Sequence, residues 1–390
     1  MALFRQTICP YCYNKFAPSK IEWRCNSGRC KSPDKLEEDT RYSEYHDVHG
    51  SAARRMPHII NDPKPKNGFV VCDKCGDNSN MKICPVCHSA LPKTDENIII
   101  SIVGATGTGK SYFVGTLLKQ LRAKLNAFGC SIQFTTTEAR EMYENKFEKN
   151  FAQGVPIPAT KPPAENINIV GANLPILCDL TDRKLRKRTF TFFDAAGENF
   201  ENESIMRYVA PYISHSSAII LLLDPTQIPY VNSTLREENR GLRLRETDRD
   251  VSYETILQNT IEVIHNHTRS TGRIKIPLAV GFSKWDLIEN SPMLRPDEGS
   301  SILQPSPHFS KGFQKMDCEN VNLEIEGLLA AWGYENFIVT LRQNFTNVNF
   351  FAFSAIGADV DERGNVPAIV PKRVEDPFLW LLNELGIIVR

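Results

Sequence analysis

The sequence predicts an α/β fold: a doubly wound, mostly parallel sheet preceded by a small cysteine-built module. Three observations carry this expectation. Eight of the eleven cysteines fall within the first 87 residues. From about Asn97 the chain turns to apolar runs alternating with helical patterns, as strands and helices taken in turn require. Between one such apolar run and the next helical pattern stands the glycine-rich stretch Gly104-Ala-Thr-Gly-Thr-Gly-Lys-Ser111.

Bulk composition bounds the answer. A chain of 390 residues is long enough for two or three domains and one substantial core. An apolar content of 41% and a charged content of 24% are ordinary for a soluble globular protein. Lys+Arg and Asp+Glu both number 46, so no global field favours nucleic acid or an anionic membrane. The N-terminus runs straight into cysteines without the apolar core of a signal peptide, and no stretch approaches the ~18–20 apolar residues of a membrane span. A cytoplasmic protein is the expectation.

The first module is predicted over residues 1–92. Cys9-Pro-Tyr-Cys12 with Cys25 and Cys30 reads as one four-thiolate set; Cys72-Asp-Lys-Cys75 with Cys84-Pro-Val-Cys87 reads as another. Two thiolates two residues apart in a tight turn reach one tetrahedral ion, and a second pair closes the shell. An interleaved pairing, with Cys9 and Cys12 sharing an ion with a later pair, is an alternative that the sequence leaves open. In a reducing compartment this clustering argues for metal over disulfides. Zinc, two ions per chain, suits the paired turns; an iron–sulfur cluster is the rival. Four thiolates leave no open coordination position, so the zinc is expected to be structural, supplying folding energy that so small a core lacks. His88 is expected on the surface. The polar segment from Lys31 to Gly68, with His46, His49 and His58, is expected to be a flexible connection between two ribbons.

The stretch from Gly104 to Ser111 has the form G-x-x-x-x-G-K-S of a phosphate-binding P-loop. It follows the strand-like run Ile98–Val103 and opens the helix-like run from Ser111 to about Phe128. Backbone N–H groups of Gly104, Thr106, Gly107, Thr108 and Gly109, with the helix N-terminus, would then face a polyphosphate. Lys110 would reach the β- and γ-phosphates and Ser111 would hold Mg²⁺ through its hydroxyl.

Further strand-like runs are residues 174–180, 189–193, 218–223, 277–282 and 348–353; helical patterns lie near 111–128, 201–214, 252–267, 320–332 and 377–385. Residues 174–193 read as an antiparallel hairpin. Asp194-Ala-Ala-Gly197 ends the buried run Phe190-Thr-Phe-Phe. Its aspartate would hold Mg²⁺ through a water, and its glycine would let a backbone N–H approach the γ-phosphate. Ser283-Lys-Trp-Asp286 ends Pro277-Leu-Ala-Val-Gly-Phe and is similar to the guanine-reading pattern [NT]-K-x-D, with serine where asparagine or threonine is usual. Asp286 could accept from the guanine N1–H and exocyclic amine, a donor pair adenine lacks. Lys284 would lie along the base. Ser354-Ala355-Ile, after Asn349-Phe-Phe-Ala-Phe, resembles the last base-contacting loop, where the Ala355 N–H would meet the guanine O6.

Taken together and in this order, these motifs make the chain from Asn97 onward resemble a P-loop GTPase of the Ras-like and translation-factor class. The N-terminal cysteine sets, Asp-Ala-Ala-Gly-Glu and Leu-Leu-Asp224-Pro225 are similar to the bacterial double-GTPase group. The resemblance implies GTP and GDP as ligands, Mg²⁺ as cofactor, and a GTPase domain over residues 97–390 with insertions near 135–169, 225–250 and 287–317. It also implies a regulatory setting in bacterial conflict or defence systems. The expected activity is hydrolysis of GTP to GDP and phosphate as a molecular switch, with the zinc ribbons as a docking module. A non-hydrolysing nucleotide-binding scaffold, or a zinc-ribbon adaptor for protein or nucleic acid, is the alternative.

Two catalytic positions depart from the pattern. Glu198 stands where Ras-like enzymes often place a water-orienting glutamine, and a carboxylate there faces repulsion from the γ-phosphate. It is expected either to orient water, or to cap the following helix or pair with a nearby cation. Hydrolysis is therefore expected to be slow without a protein partner's arginine. Arg240, Arg243 and Arg245 are candidates for an arginine supplied in cis. The switch threonine is expected at Thr160, with Thr135, Thr136 and Thr137 as rivals at the start of a helical pattern. His265 and His267, two apart on a helix, are not expected to form a metal pair.

Overall fold

The computed structural model describes residues 7–46, 48, 55–94, 96–157, 175–194, 212–238, 253–294, 299–357, 365–366 and 368–388. They form two compact units, one running to Asn97 and one beginning at Ile98.

In the first unit, three C-x-x-C turns share one geometry. In each, the amide four residues after the first cysteine donates back to that cysteine's carbonyl: Tyr13 to Cys9 at 3.0 Å, Gly76 to Cys72 at 2.9 Å, His88 to Cys84 at 3.0 Å. The donor residue takes a left-handed φ each time, 55° at Tyr13, 75° at Gly76 and 54° at His88, which closes the turn. Cys25 and Cys30 are held differently. Cys25 follows the strand Glu22–Arg24, and Cys30 ends the 3₁₀ turn Gly28–Cys30.

The pairing of the cysteines corrects the contiguous reading. Cys9, Cys12, Cys84 and Cys87 gather in one set; Cys25, Cys30, Cys72 and Cys75 gather in the other. The reason is one antiparallel ladder. Glu22–Arg24 pairs with Met81–Ile83, with Glu22 opposite Ile83. Cys25 therefore leaves the ladder at the Met81 end, where it gathers with Cys72 and Cys75, and Cys84 leaves at the Glu22 end, where it gathers with Cys9 and Cys12. The interleaved arrangement is the one adopted.

The segment between Lys31 and Gly68 is folded where it is described, not a flexible connection. Its helix Thr40–His46 is preceded by Asp39, whose buried carboxylate meets the guanidinium of Arg24 and accepts from His88 Nδ1 at 2.8 Å. Tyr45 donates to the Tyr11 carbonyl at 2.7 Å. His88 is accordingly buried, not on the surface, because Asp39 partners it. Among the predicted histidines, His46 contacts the Ser89 hydroxyl and His58 contacts Asp73. His49 lies outside the described residues.

The second unit is built on one seven-stranded sheet. In chain order its strands are β1 (Asn97–Gly104), β2 (Ser131–Phe134), β3 (Ile176–Thr181), β4 (Lys187–Asp194), β5 (Ala218–Leu223), β6 (Leu278–Phe282) and β7 (Val348–Ala352). Their spatial order is β2-β3-β4-β1-β5-β6-β7. Strands β1, β5, β6 and β7 run parallel; β3 runs antiparallel to its neighbours β2 and β4. The β3–β4 hairpin pairs Ile176 with Phe192 and Thr181 with Lys187. Asp182 closes its turn, accepting from the amides of Lys184 and Arg186 and from the Arg188 guanidinium at 2.9 Å.

Helices cover the sheet: α1 (Lys110–Lys124), α2 (Pro229–Glu237), α3 (Tyr253–Thr268), α4 (Lys315–Ala331), α5 (Glu335–Asn344) and α6 (Asp376–Glu384). Alternation along β1 decides which residues meet which layer. Ile98, Ile100 and Ile102 join Phe113 and Leu117 of α1 and Phe378 of α6 in one core. Each such fully buried large side chain contributes about 1.5–3 kcal/mol. Strand β5, Ala-Ile-Ile-Leu-Leu-Leu, is buried at every residue, as a central parallel strand covered on both faces must be.

The insertions carry structure of their own. Helix α2 lies in the insertion near 225–250; it, strand β2 and helix α5 do not appear among the sequence-based elements. Thr136 caps the helix Thr137–Tyr143 by accepting from the Ala139 amide at 3.1 Å, and the helix continues through a π turn, Glu144–Glu148. Thr135 bonds Asp179 at 3.1 Å. Both threonines thus have structural partners within the described residues. Most of the helix expected at 201–214 lies outside those residues.

Candidate nucleotide site and thiolate centres

In a sheet of this order, the connection from β1 leaves in one direction and that to β5 returns in the other. Ligands sit at the carboxyl edge where the winding reverses. All the described motif residues emerge at that edge of β1, β5, β6 and β7.

The loop after β1 turns through two left-handed glycines, Gly107 and Gly109, each with φ 82°. Gly109 precedes α1 directly, so the first amides of the helix open onto the loop. Thr106 and Gly107 are exposed and Thr108 is buried, its hydroxyl donating to the Ala105 carbonyl at 2.9 Å. The Lys110 ammonium lies within the loop and donates to the carbonyls of Gly104 at 2.9 Å and Ala105 at 2.7 Å. Ser111 follows in the first turn of α1. Gly104 closes β1 where a Cβ would lie 2.7 Å from the Leu222 carbonyl oxygen, so only glycine fits beside β5.

The loop after β6 is fastened on both sides. The Ser283 amide donates to the Leu223 carbonyl at 2.8 Å and the Trp285 amide to that of Phe353 at 3.2 Å. Ser283 is buried, and its hydroxyl donates to the Thr108 carbonyl at 2.7 Å. The serine hydroxyl thereby ties this loop to the loop after β1. Lys284 takes a left-handed φ of 53°. Its ammonium reaches the carboxylate of Asp224, at the end of β5. Asp286 follows, half-buried, with its amide donating to the Ser354 hydroxyl at 2.8 Å. Burial pushes the Asp286 carboxyl above its ordinary 3.8, against the Ser354 hydrogen bond, which pulls it down. Ser354 and Ala355 are buried, and Ser354 is tied to Lys372 by a pair of backbone bonds at 2.9 and 3.0 Å.

The structure thus brings Gly104, Thr108, Lys110, Ser283, Lys284, Asp286 and Ser354 into one chain of contacts. Asp194 is the last residue of β4; its side chain lies outside the described residues, as do Thr160, Gly197, Glu198, Arg240, Arg243 and Arg245. Sequence reasoning missed Asp224 as a partner of Lys284. Its signal was an acidic residue before a proline at the end of an apolar strand.

The two thiolate sets were tested for zinc on their own geometry. Neighbouring sulfurs lie 3.7 Å apart for Cys9–Cys87, 3.6 Å for Cys12–Cys84, 3.8 Å for Cys25–Cys75 and 4.0 Å for Cys30–Cys72. A tetrahedral Zn–S₄ centre with bonds of about 2.3 Å has an edge of about 3.8 Å. Both sets fit such an ion, and the spacing is far too long for disulfides. His58 Nε2 lies 3.5 Å from Cys72 Sγ and 2.9 Å from Asp73, a bridge between thiolate and carboxylate rather than a fifth ligand.

The Double-GTPase 2 family model matches residues 98–312, more than half of the chain. The chain belongs to the Double-GTPase 2 family. The match spans the phosphate loop, β4 and the Ser283–Asp286 loop of this double-GTPase. A Mycolicibacterium smegmatis protein described as a candidate ESX-1 scaffolding and assembly protein, SaeC, is 24% identical over 407 residues, spanning 97% of this chain and 99% of that one. Among solved structures, bacterial selenocysteine-specific elongation factor EF-Sec matches at 13% identity and a TM-score of 0.30, over 76% of this chain and 29% of that one. The Arl6 BBS3 small GTPase of Trypanosoma brucei, solved with GppNp, matches at 12% identity and a TM-score of 0.28, over 75% and 99%. No helix among the described residues is long and apolar enough to cross a membrane.

Proposed function

We propose that this double-GTPase is a Mg²⁺-dependent switch that binds GTP, hydrolyses it to GDP and phosphate, and presents the change to a protein partner. The observation that carries the reading is the Ser283–Thr108 hydrogen bond at 2.7 Å, because it joins the base-reading loop to the phosphate loop as one site. In this reading Gly104, Thr106, Gly107, Thr108 and Gly109 cradle the phosphates, Lys110 neutralises them, and Ser111 and Asp194 hold Mg²⁺. Asp286 selects guanine, Lys284 lies along the base, and Ser354 with Ala355 closes the pocket beneath O6. Thr160, Gly197 and Glu198 are the proposed switch elements. Mg²⁺ would supply charge neutralisation across the phosphates.

The two thiolate centres build the docking module, proposed over residues 1–92. The name of the Mycolicibacterium relative favours a partner in protein assembly over the defence setting implied by the family resemblance. That name also supports a second reading, a scaffold that binds nucleotide without turning it over. Turnover decides between them. Purified wild type should release phosphate from GTP, and Lys110→Ala and Asp194→Ala should abolish it. Equal rates in all three would leave only the scaffold.

A further inference from the structure

Asp224 stands at the carboxyl end of β5, between the phosphate loop and the base loop, and is 2% exposed. A carboxylate so placed must be fully partnered. One oxygen, Oδ1, accepts from the Thr226 amide at 3.0 Å and the Thr226 hydroxyl at 2.6 Å. The other, Oδ2, takes the Lys284 ammonium. The backbone of Asp224 is pinned as well. The Tyr253 hydroxyl, from the first turn of α3, donates to the Asp224 carbonyl at 2.7 Å and accepts from its amide at 2.8 Å. Lys284, by contrast, is partly exposed and carries a backbone conformation that non-glycine residues rarely adopt. A lysine with four rotatable bonds on a strained loop has no fixed direction of its own. The anchored carboxylate supplies one.

We infer that Asp224 is a positioning residue for nucleotide binding: held by Thr226 and Tyr253, it fixes the Lys284 ammonium where the stem of the side chain can lie along a purine base. The inference rests on the reading of Lys284 and Asp286 as base-contacting residues. It adds a second consequence. Tyr253 begins α3 immediately after the second insertion, so a movement of α3 reaches Lys284 through Asp224 without touching the phosphates.

The test is a double-mutant cycle on the full chain, read by dissociation of fluorescently labelled GDP and of labelled IDP, whose base lacks the 2-amino group. Asp224→Asn keeps the shape and the oxygen that accepts from Thr226, but it puts an NH₂ donor where the other oxygen takes the Lys284 ammonium, and so removes both the charge and that bond. It should speed GDP release roughly ten-fold, the effect of losing one charge-assisted hydrogen bond. IDP release should quicken by the same factor, because Lys284 contacts what the two bases share. In Lys284→Ala the same substitution at Asp224 should have almost no further effect. Tyr253→Phe, run through the same cycle, should give a smaller acceleration that likewise vanishes in Lys284→Ala, and it stands in if Asp224→Asn fails to fold. Additive effects in the Lys284→Ala background would overturn the proposal while leaving the base-binding reading intact. A wild type that binds neither GDP nor IDP would overturn both.

Discussion

The hydroxyl of Ser283 donates to the carbonyl of Thr108 at 2.7 Å, joining two loops 175 residues apart. Both partners are buried, so the bond has no water to replace it. Ser283→Ala leaves the Thr108 carbonyl without this donor, a change worth about 1–3 kcal/mol. GDP should dissociate several-fold faster from Ser283→Ala, and Ser283→Thr, which keeps the hydroxyl, should restore the wild-type rate. Stopped-flow dissociation measures both; an alanine variant indistinguishable from wild type would show that the loops are held by other contacts.

The interleaved thiolate sets make a prediction that contiguous sets do not. Cys12→Ala with Cys84→Ala removes ligands from one centre only, so one zinc per chain should remain. Cys12→Ala with Cys25→Ala damages both centres and should release both ions. Elemental analysis of the two double variants distinguishes the patterns, since contiguous pairing would reverse the result. Removing both ions with a chelator should unfold the first unit, whose apolar clusters are built largely around the cysteines themselves.

Gly104 is fixed by contact rather than by backbone angle. A Cβ there would sit 2.7 Å from the Leu222 carbonyl and 2.9 Å from the Thr108 hydroxyl. Leu222 is paired to Gly104 within the sheet and cannot retreat. Gly104→Ala should cost about 1–3 kcal/mol by overpacking. Thermal unfolding should show a midpoint lower by a few degrees, with weaker GDP binding because the displaced segment begins the phosphate loop.

Asp286 sets a pH dependence. Its carboxyl titrates above the ordinary 3.8 because burial disfavours the charged form. The folded chain thus holds this proton more tightly than the unfolded chain, and this group's contribution to stability falls as pH rises from 3.8 through the raised value. Guanine recognition has the opposite sign, since the N1–H and amine need an ionised acceptor. GDP affinity should therefore fall on acidification toward the Asp286 titration, more steeply in wild type than in Asp286→Asn. Calorimetric titrations across weakly acidic pH measure the difference; identical slopes would remove Asp286 from base recognition.

Local pattern determined most of this protein. The P-loop, the order of the motifs, the β3–β4 hairpin and the identity of the eight thiolates are written in short windows, because turns, strand alternation and helix starts depend on near neighbours. The exceptions are instructive. Strand β2 is four residues at a sheet edge, too short to show a period, and α5 is short and groups its apolar residues in the contiguous run Phe337-Ile338-Val339, which shows no helical period. Tertiary structure alone decided which cysteines gather, because the antiparallel pairing of Glu22–Arg24 with Met81–Ile83 sends Cys25 toward Cys72 and Cys75 and Cys84 toward Cys9 and Cys12. It also decided that His88 is buried on Asp39, that the Ser283 hydroxyl meets the Thr108 carbonyl, and that Asp224 holds Lys284. Each of these is a contact between residues far apart in the chain, and a one-dimensional pattern carries no record of which distant carboxylate or carbonyl a side chain will meet.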